Sequence, residues 1–151
     1  MNDFESNLNE LLVDTFNLIL KYEETSLKTI CNVPVTISEI HMLEVIAKNN
    51  GSSTVSNIAN SMDIAVPTAT VAVKKLERKN LVTKVPCTED GRRFIITLTE
   101  LGEKINRSHS IFHRRMIRNI SNAFAEDEKN VLLCSIRKLS EFFKEKIGAQ
   151  A

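Results

Sequence analysis

The sequence predicts a mainly α-helical protein with one small β-hairpin. Only four glycines and three prolines occur in 151 residues, and tryptophan is absent, so a turn-rich β architecture is disfavoured. Apolar residues recur at three- and four-residue steps along most of the chain. This helical period gives way to strand-like patterns only between Leu81 and Thr99. The length suits one domain with a hydrophobic core.

The N-terminal third is predicted to form two helices. Residues 4–30 carry a broad stripe of apolar side chains, which is typical of a long amphipathic helix. Pro34 cannot continue that helix and also restricts the residue before it. A second helix is expected over about 38–48, with Ser38 as its N-cap, and the NNGSS run ends it.

Two shorter helices with a tight break between them are predicted next. The third helix starts near Thr54, and the fourth runs from about 66 to 79 after the segment DIA. Pro67 falls in the first turn of the fourth helix, where a missing N–H costs nothing. The inward residues of this helix are expected to be Ala69, Val73 and Leu76, which leaves its polar and basic side chains outside.

A β-hairpin and two further helices complete the predicted fold. LVTKV and RFIITLT alternate or run apolar with β-branched residues, and TEDG between them supplies a turn. Thr99 is expected to cap a fifth helix. A last helix is predicted over about 126–147, where apolar residues stand at near-heptad spacing.

Charge is distributed unevenly along a chain whose net charge is only +1. Residues 1–50 contain eight acidic residues against three lysines, whereas residues 67–93 contain seven basic residues against three acidic ones. A positive patch confined to one part of a nearly neutral protein indicates polyanion binding.

These elements together predict a winged helix–turn–helix that binds DNA. The first helix of such a pair braces the second, whose exposed side chains meet base edges in the major groove. Thr68 and Thr70 suit bases, and Lys74, Lys75 and Arg78 suit phosphates; arginines at the hairpin tip suit a narrow minor groove. The predicted DNA-binding residues are Thr54, Ser56, Pro67, Thr68, Thr70, Val71, Lys74, Lys75, Arg78, Lys84, Asp90, Arg92 and Arg93.

The segments LERKNLVTK and EDGRRFIITLTELG resemble the winged-helix core of the MarR family of bacterial transcription regulators. The resemblance covers nearly the whole chain and implies a single domain over residues 1–151. Its DNA-binding core would span about 32–100, and its dimerisation helices about 1–31 and 100–151. The family's wing motif maps onto Asp90 and Arg92. The chain departs from the family at Gly91, for which Arg93 would compensate, and at Ala65, where a capping Ser or Thr is common.

Within the family, YEETSL, ISEIHMLEVIAKN and SHSIFHRRM resemble segments of the FabT-type repressors of fatty-acid synthesis genes. This resemblance implies a homodimer on a palindromic operator, with acyl chains on acyl carrier protein acting as co-repressor. Such a ligand needs an apolar slot, which the apolar helices could line. Side chains in such stripes are more often ordinary core residues.

The histidines support an alternative, a zinc-sensing repressor of the same family. His109 and His113 stand four residues apart on one predicted helix face, a spacing that lets two imidazoles bind one metal. The resemblance to the zinc-sensing members adds His41 and Glu23 to this set. The chain lacks the His-rich run typical of those sensors, and on the acyl interpretation no cofactor is required.

Other classes of protein find less support in the sequence. There is no nucleophile motif and no Gly-rich phosphate loop, so an enzyme is not expected. A dimeric helical interaction module without DNA contact remains a third class. Cys31, Cys87 and Cys134 lie far apart without CxxC spacing, which indicates free thiols. The absence of a signal pattern and of a membrane-length apolar run predicts a cytoplasmic protein.

Overall fold

The computed structural model describes residues 2–30, 33–87 and 94–148. It divides the chain into two units, residues 1–111 and 112–151. The helices and strands of the described part are α1 (Asp3–Ile30), α2 (Ile37–Lys48), β1 (Ser52–Thr54), α3 (Val55–Met62), α4 (Val66–Arg78), β2 (Val82–Pro86), β3 (Phe94–Leu98), α5 (Glu100–Asn122) and α6 (Glu126–Gly148). None of the described helices is long and apolar enough to cross a membrane. The predicted fold class, mainly α-helical with a small winged sheet, is confirmed.

The sheet of the first unit has three antiparallel strands in the order β1-β3-β2. The predicted hairpin is present, and it pairs Val82 with Leu98 and Val85 with Ile95. Strand β1 was not predicted: it pairs Ser52 with Thr97 at the far edge of β3. A three-residue polar strand has no periodicity of its own, so only its pairing with β3 defines it.

The hydrophobic core of the first unit lies among α2, α3, α4 and the sheet. Its completely buried side chains come from each of these elements, for example Ile40 and Leu43 of α2, Ile58 of α3, Leu76 of α4 and Ile96 of β3. This packing fixes the orientation of α4, because one face of that helix is held against its neighbours and the other is left to solvent.

Helix N-caps account for where three of the helices begin. Thr36, not the predicted Ser38, caps α2: its Oγ1 accepts from the Glu39 N–H at 3.2 Å, and a Glu39 carboxylate oxygen accepts from the Thr36 N–H at 2.9 Å. This reciprocal capping box satisfies two N–H groups that a cap at Ser38 would leave open. The predicted cap Thr99 is confirmed, with Oγ1 accepting from the Gly102 N–H at 3.0 Å. Thr54, near which the third helix was expected to start, caps that helix, with Oγ1 accepting from the Asn57 N–H at 3.2 Å.

The long helices leave their apolar stripes exposed in the single chain. Along α1 most of the apolar side chains face solvent, including Phe4, which is 72% exposed, and Phe16, which is 63% exposed. In the second unit α6 has no buried residue, and its exposed apolar side chains include Leu133 and Phe143. Contiguous apolar surface of this kind is typical of a protein–protein interface.

Candidate nucleic-acid interface and carboxylate–histidine cluster

Helices α3 and α4 form a compact helix–turn–helix. Asp63 caps α3 in the left-handed conformation, with φ 52° and ψ 48°, and the Ile64 N–H donates to the Ala59 carbonyl at 3.0 Å. The chain can therefore turn within three residues before α4 begins. The inward residues predicted for α4, namely Ala69, Val73 and Leu76, are all completely buried.

The opposite face of α4 is open to a ligand along its length. Most of the predicted contact residues on this helix are exposed, namely Pro67, Thr68, Val71, Lys74, Lys75 and Arg78. Thr70 is only half-buried, and its Oγ1 donates to the Val66 carbonyl at 2.9 Å, so this hydroxyl would meet a base as an acceptor. Ala65 provides no side-chain cap at the start of α4.

The two predicted contact residues near α3 differ in their availability. Ser56 is exposed in the first turn of α3. Thr54 is half-buried, and its hydroxyl oxygen is engaged in capping the helix. Thr54 therefore has a structural task in addition to its predicted contact with DNA.

The basic side chains of this region differ in whether an acidic side chain of the protein compensates their charge. Lys74, Lys75 and Arg78 form the uncompensated group, and Lys84 and Lys79 form the compensated group. Lys74 and Lys75 form no ion pair with any described residue, and both are exposed. Arg78 donates its Nε–H to the Lys74 carbonyl at 3.4 Å and is also exposed. Lys84 lies 3.6 Å from a Glu77 carboxylate oxygen, so part of its charge is compensated within the protein.

Lys79 also belongs to the compensated group, and its ammonium group donates only to atoms of the protein. Its Nζ donates to both carboxylate oxygens of Glu39, at 2.8 and 2.7 Å, and to the Pro34 carbonyl at 2.7 Å. Glu39 is a buried side chain whose partnership with Lys79 the sequence did not reveal, because the two residues are 40 positions apart.

The carboxyl group of Glu39 is held in its charged form. Burial by itself raises its pKa, but hydrogen bonds from Lys79 and from the Thr36 N–H, together with the Lys79 charge, outweigh that effect. The pKa of Glu39 consequently lies below its usual value of 4.5.

The hairpin that would carry the minor-groove arginines is present, and its last described pair joins Pro86 to Phe94. The predicted tip residues Asp90, Arg92 and Arg93 lie outside the described residues, as does Cys31. Of the other two cysteines, Cys87 is half-buried and Cys134 is exposed, and both are free thiols.

A second cluster joins a carboxylate to two imidazoles within the first unit. Glu23 of α1 is buried, and its Oε1 lies 3.7 Å from Nε2 of His41 in α2 and 3.5 Å from Nε2 of His109 in α5. The two imidazole rings are 6.0 Å apart between centroids. His109 is buried, whereas His41 is half-exposed, so the cluster has one side open to solvent.

The two carboxylate–imidazole distances are close to the separation of two ligand atoms on one small divalent cation. A tetrahedral zinc ion with bonds of about 2.0–2.1 Å holds its ligand atoms about 3.4 Å apart. Imidazole nitrogen and carboxylate oxygen are both ligands that zinc accepts. The first unit thus brings together three of the four predicted ligands; the fourth, His113, lies in the second unit, four residues after His109 in α5.

An open, largely apolar groove lies between the end of α1 and the start of α2. Its cavity volume is about 510 Å³, and Leu27, Val35 and Ile37 supply apolar walls beside Glu24 and Lys28. A groove of this size lies within the range of small-molecule sites.

Residues 35–94, which include α2 to the start of β3, match the model of the MarR family. The chain is also similar to the transcriptional regulator ZitR of Lactococcus lactis subsp. cremoris, with 27% identity over 75% of this chain and 79% of the relative. The transcriptional repressor MdtR of Bacillus subtilis is 26% identical over 68% of this chain and 66% of the relative.

A solved structure extends the similarity to both terminal helices. The structure of Streptococcus pneumoniae FabT in complex with DNA superimposes with a TM-score of 0.88, covering 93% of this chain and 98% of the other at 29% identity. That protein was solved on DNA, which agrees with the open face of α4 described above.

Proposed function

We propose that this chain is a DNA-binding transcription regulator of the MarR family and acts as a homodimeric repressor of fatty-acid synthesis genes. Acyl chains carried by acyl carrier protein would be its co-repressor. The target genes and the effector rest chiefly on the similarity to FabT, which extends over 93% of this chain.

The α4 surface is the observation that supports a repressor reading a palindromic operator. Its inner face is fixed by buried Ala69, Val73 and Leu76, and its outer face presents Thr68 to bases and Lys74 and Lys75 to phosphates. Two such helices related by a dimer axis would read two half-sites of the operator. The exposed apolar faces of α1 and α6 support the dimer.

The groove at the α1–α2 junction supports an apolar effector. Leu27, Val35 and Ile37 would contact methylene groups, and Lys28 stands at its border as a cation. The groove lies beside α2, which packs against α3, so an occupant would act close to the helix–turn–helix.

The carboxylate–histidine cluster supports a second candidate, zinc sensing. Glu23 lies at ligand-like distances from both His41 and His109, and the three residues come from three helices. A zinc ion bound there would join α1, α2 and α5. The affinity of the protein for DNA would then follow the zinc concentration.

One gel-shift experiment tests the function and separates the two effectors. Two DNA fragments are titrated with protein, one from the promoter of the gene that encodes this chain and one from a fatty-acid synthesis promoter. Each titration is made in the presence of EDTA, of added zinc or of acyl carrier protein that carries a long acyl chain. We expect the acyl carrier protein to tighten binding in EDTA, and Arg92→Ala to weaken it.

Three outcomes would contradict parts of this proposal. A lack of binding at low salt, or full binding by Arg92→Ala, would refute the assignment of the wing. A zinc response abolished by His41→Gln and by His109→Gln, and retained by the neighbouring control Ser110→Ala, would replace acyl chains by zinc as the primary signal.

A further inference from the structure

We propose that Lys79 is a positioning residue for DNA recognition, acting through Glu39 and Pro34, and that it makes no contact with DNA. It would hold the C-terminal end of α4 against the start of α2 and thereby set the angle at which α4 enters the major groove. The inference rests on the DNA-binding part of the proposed function and is independent of the effector and the target genes.

The geometry of the Lys79 ammonium leaves no donor for a phosphate. An ammonium group has three N–H donors, and three oxygen atoms of the protein lie 2.7 to 2.8 Å from Nζ. The Lys79 side chain is 29% exposed, in contrast to the exposed Lys74 and Lys75. Release toward DNA would leave the buried, charged carboxylate of Glu39 without its cation, which is costly.

The positions of Glu39 and Pro34 explain how their hydrogen bonds with Lys79 can orient α4. Lys79 is the C-cap residue of α4, and Glu39 stands in the capping box of α2. Pro34 lies just before α2, so the chain leading into α2 is bonded to the end of the DNA-reading helix. At the same helix end the Leu81 N–H donates to the Leu76 carbonyl at 3.0 Å, which fixes the chain as it leaves α4.

A small tilt of α4 is sufficient to disturb base contacts. The helix has 13 residues and is therefore about 20 Å long. A tilt of about 5° around its buried middle would displace the ends of the helix by roughly 0.9 Å and Thr68, about 6 Å from the middle, by roughly 0.5 Å. Hydrogen bonds to base edges tolerate only a few tenths of an ångström, so the angle of α4 affects specific affinity.

Replacement of Glu39 distinguishes positioning from direct contact, because the two roles predict opposite signs. If Lys79 binds a phosphate, Glu39 competes for it, and Glu39→Gln should strengthen DNA binding. If Lys79 positions α4, Glu39→Gln and Lys79→Met break the same link, and both should weaken binding to a similar extent.

The test measures the dissociation constant of a promoter fragment between 50 and 200 mM salt for the wild-type protein and for Glu39→Gln, Lys79→Met and the double variant. We expect a loss of affinity of roughly 5- to 10-fold in each single variant, about 1.4 kcal/mol per factor of ten. The double variant should be no weaker than the singles, and the salt slope should stay at the wild-type value.

Two controls match the substitutions. Lys74→Met should lower the salt slope by about 0.9, since one phosphate contact is lost. Glu44→Gln breaks another pair on α2, the 3.1 Å contact with Lys48, and should leave DNA affinity unchanged. All measurements are made below the unfolding transition of every variant, and Lys79→Arg, which keeps the charge, should recover part of the affinity.

The outcomes are distinguishable. Tighter or unchanged binding by Glu39→Gln, or a lower salt slope for Lys79→Met, would overturn the positioning role while leaving the regulator function intact. Absence of DNA binding by the wild-type protein would instead refute the proposed function and, with it, this inference.

Discussion

At the residue scale, Lys79 differs from the neighbouring basic residues in the direction of its side chain. In the sequence, Lys74, Lys75, Arg78 and Lys79 form one basic stretch at the end of a helix. In the structure, the first three are exposed, and Lys79 turns inward to Glu39. Charge counted along the chain therefore overstates the charge that this helix offers to DNA.

Because the pKa of Glu39 is lowered, the stability of the protein should depend on pH through this residue. Its contribution is fully present above the ordinary pKa of 4.5 and is lost as pH falls through the lower pKa of the folded state. At neutral pH, we expect Glu39→Gln to lower the free energy of unfolding by roughly 1–2 kcal/mol, the range of a charged hydrogen bond.

The measurement is urea unfolding of the wild-type protein and of Glu39→Gln at pH 7 and again near pH 3. The difference between the two proteins should shrink at the acidic pH, because the unfolded chain binds a proton at Glu39 more readily than the folded protein. A difference that is the same at both pH values would show that the carboxylate charge of Glu39 does not stabilise the fold.

At the element scale, the joint between α4, the hairpin and α5 depends on one glycine. A Cβ atom on Gly102 would lie 2.1 Å from the Leu81 carbonyl oxygen, which belongs to the backbone and cannot rotate away. The same carbonyl accepts from the Thr99 N–H at 3.1 Å, and Thr99 Oγ1 donates to the Asn80 carbonyl at 2.7 Å. Close approach of two backbones is the reason that this position has no side chain.

We therefore expect Gly102→Ala to destabilise the protein by about 1–3 kcal/mol, the usual effect of forcing an extra carbon into a packed site. Thermal unfolding provides the measurement. Gly148→Ala is the matched control, because no atom lies within 4 Å of a Cβ at that helical position. Equal melting temperatures for Gly102→Ala and the wild-type protein would show that α5 can shift away from Leu81 without cost.

At the scale of the whole molecule, the exposed apolar residues of the terminal helices point to a second copy of the chain. Ile19 of α1 is 46% exposed, and Ile136 of α6 is 53% exposed. Exposure of many such side chains along whole helices is uncommon for a monomer.

For this reason we expect the wild-type protein to be a dimer of two 17.0 kDa chains in analytical ultracentrifugation. The variant Ile19→Glu should shift the equilibrium toward the monomer. The matched control Asn17→Glu places the same charge on the opposite side of α1, where it should leave the dimer intact. A monomeric wild-type protein would contradict the proposed dimer, and dissociation by both variants alike would show that charge rather than the apolar stripe is responsible.

Local signals in the sequence were sufficient for most of the elements. The helical period and the proline break predicted α1 within one residue at its start. Thr99 was recognised as a cap because capping is a contact over three residues. The N-cap of α2 was predicted at Ser38, but it is Thr36. Both residue types can cap a helix, and the capping box with Glu39 decides between them.

The sequence by itself determined the six helices and the hairpin, the buried face of α4 and the class of protein, because these depend on short-range periodicity and on residue types at fixed spacing. Only the tertiary structure decided which charged groups face solvent and which meet each other. The Lys79–Glu39 pair, the meeting of Glu23 with His41 and His109, and the pairing of β1 with β3 each join residues far apart in the chain. Such contacts are set by how the helices and strands pack, and no local pattern encodes them.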